Sequence, residues 1–301
     1  MKSGNLERTL SDGKFTVTAE IGPPKGCDIN KFKSKAELLK GYATAFNVTD
    51  NQTAVVRLSS LAGSLFLFEM GLEPILQLTC RDRNRIALQS DILGASALGI
   101  RNVLCLTGDH QSFGNHPQSL GVYDLDSIQL IKILSDMRDK GIFQNKEEIP
   151  HGKPQLFIGA AANPFADPLE CRVDRLEKKI DAGVDFIQTQ SVFNIEKFQS
   201  WMDEVRSRHL DKKVHILAGI TPLKSVKMTE RMQFHVPGVD LPTEIADRMK
   251  KAEDPNIEGF NISLELIEKI KRISGVHGIH ITALFWEKII PSIVKESGLI
   301  I

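Results

Sequence analysis

The stretch Asn102-Val-Leu-Cys-Leu-Thr-Gly-Asp109 decides the fold. A mostly apolar run passes into a small hydroxyl, a glycine and an acid. Such a run marks a parallel strand covered on both faces, because neither face meets water. Gly108 lets the backbone turn sharply or come close to a ligand. Asp109 then sits at the carboxyl end of the strand, the edge where α/β folds bind ligands. An acid there suits a polar heterocycle or the surroundings of a cofactor. It equally suits capping the next helix or closing a turn.

Outward from this strand the same unit repeats. Apolar strands are expected over Lys14–Ile21, Ala45–Thr49, Pro74–Cys80, Asn102–Thr107, Gln155–Ala161, Phe186–Gln190, Val214–Ile220 and Gly278–Leu284. Helical segments follow over Asp28–Leu39, Val55–Met70, Asp82–Leu98, Leu125–Lys140, Pro168–Ala182, Glu196–Arg208 and Glu287–Lys295, with up to three more within Leu223–Ile273. Gly41, Gly71, Gly99, Gly141 and Gly183 each fall between a helix and the next strand, where a helix C-cap tolerates glycine best. Eight βα units predict an α/β fold, a closed (β/α)8 TIM barrel over residues 1–301, with 1–13 as a polar lead-in. No Gly-rich dinucleotide fingerprint or P-loop follows any strand, which counts against an open doubly wound sheet.

Composition narrows the function classes. Lys plus Arg and Asp plus Glu both total 38, so nucleic-acid binding and an electrostatically held membrane surface are not expected. Cys27, Cys80, Cys105 and Cys171 lie far apart without a CxxC pair, against a disulfide framework, a zinc ribbon or a cysteine-bound cluster. The start lacks a signal-peptide core, and the most apolar window, Leu61–Met70, is too short to span a bilayer. A cytoplasmic protein is the expectation.

A barrel builds its site from residues at or just past the strand ends. Here these are Glu20, Thr49, Gln77 with Thr79, Asp109, Asn163, Gln190, Thr221 and Thr282. The set holds two carboxylates and no basic residue, so Schiff-base chemistry is not expected. His277 and His280 lie three apart and should face opposite ways, which argues against a metal pair. Glu20 precedes Ile21-Gly22-Pro23-Pro24, a stiff apolar neighbourhood. Such surroundings disfavour the ionised carboxyl and suit a general acid. The plainer alternative is a surface glutamate at a strand end.

These residues in this order resemble the methylenetetrahydrofolate reductase family. The resemblance runs from about Phe15 to Gly298 and rests on Ala19-Glu-Ile-Gly-Pro-Pro24, Asn47-Val-Thr49, Leu78-Thr-Cys80, Leu106-Thr-Gly-Asp109, Lys179-Ile-Asp-Ala-Gly183 and Phe186-Ile-Gln-Thr-Gln190. It implies a flavin-dependent barrel reducing 5,10-methylenetetrahydrofolate to 5-methyltetrahydrofolate. By position, Glu20 resembles the general acid, and Asp109 the acid near flavin and pterin. Gln190 resembles the glutamine that bonds the folate. Val226 falls where the family has an aromatic packed on substrate. Thr49, Gln77, Asp109, Tyr123, Asn163, Asp167 and Lys179 fall at positions resembling contacts to the flavin.

The chain departs from the family at Gln77 (often His), at Thr107 (often Arg), at Asn163-Pro164-Phe165, at Val226 and at Leu284-Phe285-Trp286. The resemblance leaves open FAD or FMN, and NADH, NADPH or an electron-delivering subunit as the donor. It also implies a homo-oligomer or such a complex. Two alternatives stand beside it: a folate-binding barrel without catalysis, and a pterin-dependent methyltransferase barrel.

Overall fold

The computed structural model describes residues 4–299; residues 1–3 of the expected lead-in lie outside them. Eight parallel strands close on themselves in sequence order. They are β1 (Thr16–Ile21), β2 (Ala45–Val48), β3 (Pro74–Thr79), β4 (Asn102–Leu106), β5 (Phe157–Ala162), β6 (Phe186–Ser191), β7 (His215–Ile220) and β8 (Gly278–Ile281). The ring shuts where β1 pairs with β8, Thr18 opposite His280. The expected (β/α)8 barrel is therefore observed.

The helices are α1 (Asn5–Ser11), α2 (Asn30–Leu39), α3 (Ser60–Glu69), α4 (Arg85–Ala97), α5 (Ser127–Asp139), α6 (Arg172–Asp181), α7 (Ile195–Ser207), α8 (Val226–His235), α9 (Thr243–Lys251), α10 (Pro255–Ile270) and α11 (Ile290–Glu296). Short polar side chains start several of them. Asn84 accepts from the amides of Ile86 and Ala87 at 3.1 and 3.0 Å, and Asp126 forms a capping box with Gln129. At the other ends the expected glycine caps are present. Gly183 has φ +104°, and a Cβ there would lie 2.3 Å from Ser135 Oγ.

Two expectations need correction. Residues 55–59 are not helical: a single 3-10 turn (Gln52–Ala54) precedes them, and α3 begins only at Ser60, capped by Ser59. Nor is the lead-in merely polar. Its α1 closes the amino-terminal end of the barrel, where Leu6 and Leu10 pack with Ala45, Ile75, Leu104, Phe157, Phe186 and Leu217. Glu73 receives the amides of Asn5 and Leu6 at the start of α1, and Asn102 Nδ2 holds Glu73 Oε1 at 2.8 Å. Phe157 and Phe186 stack at 5.2 Å, and Gly159 makes room for the second ring; a Cβ there would meet it at 2.2 Å. This apolar floor fills the lower barrel, so any site must lie above it.

Candidate active site

Above the floor the inward side chains turn polar. Strand alternation sends every second residue inward, so Thr18, Asn47, Gln188 and His280 share one interior layer. Asn47 Nδ2 donates to Gln188 Oε1 at 2.6 Å, and Gln188 Nε2 donates to Thr18 Oγ1 at 3.1 Å. Thr18 Oγ1 lies 3.0 Å from His280 Nδ1, whose other nitrogen lies 3.2 Å from Thr282 Oγ1. The network satisfies these buried groups, as a low-dielectric interior requires. Burial pushes His280 down to about 4, so its ring is neutral at physiological pH.

This layer is the base of a cavity of about 510 Å³ at the carboxyl ends of the strands, a size suited to a small-molecule ligand. Six residues predicted for the site line it: Glu20, Gln77, Asn163, Lys179, Gln190 and Thr282. Glu20 is half-buried and bonded through its carboxyl to Gln52 and Gln77, the former at 3.3 Å. Desolvation by burial lifts it to about 7 against the lowering effect of those bonds.

Lys179 rises from α6 into the cavity and donates to the carbonyl of Ala161. Burial, with Arg175 nearby, brings it down to about 8. Arg172 and Arg175 line the same wall. The three cations stand at i, i+3 and i+7 of one helix and so share a face. The strand ends supply no basic residue, as read from the sequence, but a helix supplies three.

The other predicted residues lie outside the cavity lining. Asp109 is exposed at the rim, and its carbonyl rather than its carboxylate is held, by Arg81 Nη1 at 3.1 Å and Tyr123 Oη at 3.2 Å. Gly108 makes the expected turn with φ +95°. Thr49 is buried with an unpartnered hydroxyl, Asp167 is exposed, and Val226 is half-buried at the start of α8. Thr221 is tied to Ser191 and Thr79 to Asp50.

Several site residues had not been singled out from the sequence. Asn47 and Gln188 sit two positions before residues that had been, on the same strand face, as does His280, which had been weighed only as a metal ligand and argued against. Arg172 and Arg175 carried a helical-period signal with Lys179. Asp50 gave none: it is buried, accepts from Thr79 N and Oγ1 at 2.9 Å each, and is clamped by Arg83 at 2.7 and 3.2 Å. It holds the ends of β2 and β3 together beneath the rim.

A closed eight-stranded barrel with a polar cavity at its carboxyl rim defines a (β/α)8 protein of the ligand-binding kind. Within that class, the chain belongs to the methylenetetrahydrofolate reductase family, whose model matches residues 5–298. It is 26% identical over 289 residues to the 5,10-methylenetetrahydrofolate reductase of Pectobacterium carotovorum, covering 93% of this chain and 89% of that one. It is 26% identical over 233 residues to methylenetetrahydrofolate reductase 2 of Schizosaccharomyces pombe, where the match takes in 75% of this chain but 36% of that protein. With methylenetetrahydrofolate reductase 1 of the same yeast the match takes in 95% of this chain and 46% of its relative. The chain thus spans under half the length of these yeast relatives. In fold it is similar to a Clostridium thermocellum protein described as binding two copies of 5-methyl-5,6,7,8-tetrahydrofolic acid, with TM-score 0.64, 16% identity, and coverage of 96% of this chain and 95% of that one.

Proposed function

We propose that this barrel reduces 5,10-methylenetetrahydrofolate to 5-methyltetrahydrofolate with a bound flavin, Glu20 serving as the general acid. The observation that carries the reading is Glu20 itself, a desolvated carboxyl on the cavity wall, raised to about 7. A group so poised is substantially protonated at neutral pH and able to give the proton up. It delivers that proton to N10 of the folate as the five-membered ring opens to an iminium, an assistance worth ~10²–10⁴-fold in rate. Gln77 and Gln190 line the same wall, and an amide both donates to and accepts from a pterin edge. Membership of the family and the names of its bacterial relatives support the same reaction.

The residues present fit a flavin. Ala161 and Ala162 offer a small-residue surface in the cavity lining that a flat ring approaches closely, and Arg172, Arg175 and Lys179 face any phosphate. Asn163 completes the candidate contacts within the cavity, while Thr49 is buried outside its lining and Tyr123 and Asp167 would serve from the rim. When bound, a reduced flavin supplies hydride to the one-carbon unit. Asp109 enters as an exposed rim charge screened by water, with no proton-transfer step of its own. Val226, half-buried beyond the lining, takes the place of a substrate-packing aromatic. Electrons come from NADH or NADPH, directly or through a delivering subunit.

The test is an absorbance spectrum of the pure protein after adding FAD or FMN, then folate turnover by wild type and Glu20→Gln. Flavin bands in both, with turnover lost by ~10²-fold or more in the variant, support the assignment. Absence of flavin binding, or a fully active variant, overturns it. Bleaching by NADH alone identifies a self-sufficient reductase; bleaching only by dithionite identifies the need for a partner.

A further inference from the structure

Glu20 and Gln52 line two cavities at once. Besides the main cavity, they line a second of about 190 Å³, walled also by Gly22-Pro23-Pro24, by Phe32 of α2 and by Ala283-Leu284-Phe285 after β8. Its charged groups besides Glu20 are Lys31, Lys35, Arg57 and Glu287. Lys31 is exposed and Phe285 is 79% exposed at its lip, so this outer cavity communicates with solvent. Both cavities thus share one carboxyl and one amide in their linings, joined by the 3.3 Å hydrogen bond from Gln52 Nε2 to Glu20 Oε1.

The loop that presents Gln52 is held in an uncommon conformation. Asn51, Thr53 and Ala54 have φ of 44°, 54° and 55°, a region that non-glycine residues seldom occupy. It is pinned by Arg81 Nη2 to Asn51 O at 3.2 Å, by Asn51 Nδ2 to Asp82 Oδ2 at 3.3 Å, and by Arg57 N to Asn51 Oδ1 at 3.0 Å. Strain of this sort persists only where surrounding contacts over-determine it, and here the contacts seat an amide on Glu20.

A general acid spends its proton in every turnover and must regain one. Ligands that fill the main cavity cover the inner side of Glu20 and leave the outer side to water. We propose that Glu20 is re-protonated from solvent through the outer cavity, with Gln52 the positioning residue that holds the carboxyl across the wall. The proposal rests on the general-acid role assigned above. In each cycle the proton leaves the Glu20 carboxyl for N10 as the carbon–N10 bond breaks. The resulting carboxylate then takes a proton from water in the outer cavity, so one solvent proton enters per folate reduced. Arg57 favours the waiting carboxylate and Glu287, paired with Lys35, opposes it, which keeps the group near its balance point.

The test separates first from later turnovers. Gly22 lines only the outer cavity, and a Cβ there meets nothing nearer than Thr49 Oγ1 at 3.8 Å, so Gly22→Leu adds bulk outside the main cavity. Flavin-loaded protein is reduced with dithionite and mixed with methylenetetrahydrofolate for the first turnover, then assayed at steady state with a reduced viologen dye. The variant is expected to keep its first-turnover rate while steady-state turnover drops by ~10-fold and gains a larger solvent deuterium effect. Equal loss in both phases would make the outer cavity merely structural, and no loss in either would remove it from the proton path; both overturn the proposal. Lys31→Trp, at the exposed lip, carries the same comparison if Gly22→Leu fails to fold. Wild type inactive in both phases would instead refute the reductase assignment.

Discussion

Replacing Glu20 by glutamine should stabilise the protein, and only above the acid range. Glu20 titrates near 7 in the folded barrel against an ordinary 4.5. Below about pH 4.5 folded and unfolded chains both hold the proton, and the group contributes nothing either way. As pH rises, the unfolded carboxyl loses its proton first while the folded one keeps it, so stability falls with pH until the folded group ionises as well. The full penalty, reached above about pH 7, is ~3 kcal/mol. Glutamine cannot ionise and still accepts from Gln52. The stability difference, variant minus wild type, should therefore grow from near zero at about pH 4 to ~3 kcal/mol at about pH 8. Urea unfolding of both flavin-free proteins across that range measures it, and groups common to both, such as His280, cancel in the difference. A difference that stays flat with pH would refute the desolvated environment assigned to Glu20. A gain in stability with a loss of turnover is the expected mark of a residue kept for chemistry.

Leu10→Ala removes buried bulk from the apolar floor that α1 seals, and should cost ~2–5 kcal/mol in a denaturant titration. An unchanged midpoint would mean that α1 is dispensable. Lys179 loses its charge as pH rises through about 8, so wild-type affinity for FMN should weaken across that step. Lys179→Met should bind FMN more weakly and without the step, as read by a flavin fluorescence titration.

The strand ladder was legible because eight apolar runs punctuated by glycine leave little freedom of interpretation. The helices expected from Asp82 and Leu125 were legible to within three residues, beginning at Arg85 and Ser127 after the caps Asn84 and Asp126, whereas the helix expected over 55–59 is absent although apolar residues continue there. The plug was hidden by its brevity: Leu6 and Leu10, four apart in a polar setting, announce a helix face but not what it covers. The site shows the same limit. Glu20 was readable because its desolvating neighbours adjoin it in sequence. Gln52 and Asp50 were not, because their partners, Glu20, Thr79 and Arg83, lie 29 or more positions away and meet them only once the barrel closes. Local chemistry shows in a sequence; chemistry assembled across strands shows only in register.

That assembly gives the cavity a direction. On the α6 side stand Arg172, Arg175 and Lys179; on the β1 and β3 side stand Glu20, bonded to the amides of Gln52 and Gln77. A neutral or weakly charged heterocycle loses little by facing amides and a protonated carboxyl, whereas an anionic group gains by facing cations. Under the proposed reaction, a phosphate-bearing cofactor and a reduced pterin would sort themselves, phosphate toward α6 and pterin toward Glu20. Ionised permanently, Glu20 would carry a full charge in a poorly solvated wall and repel the phosphate-bearing ligand as well. In that reaction a carboxyl raised to about 7 suits both demands: it is partly neutral near neutral pH, and once its proton has gone to the folate it would face a cationic iminium that offers the compensating charge.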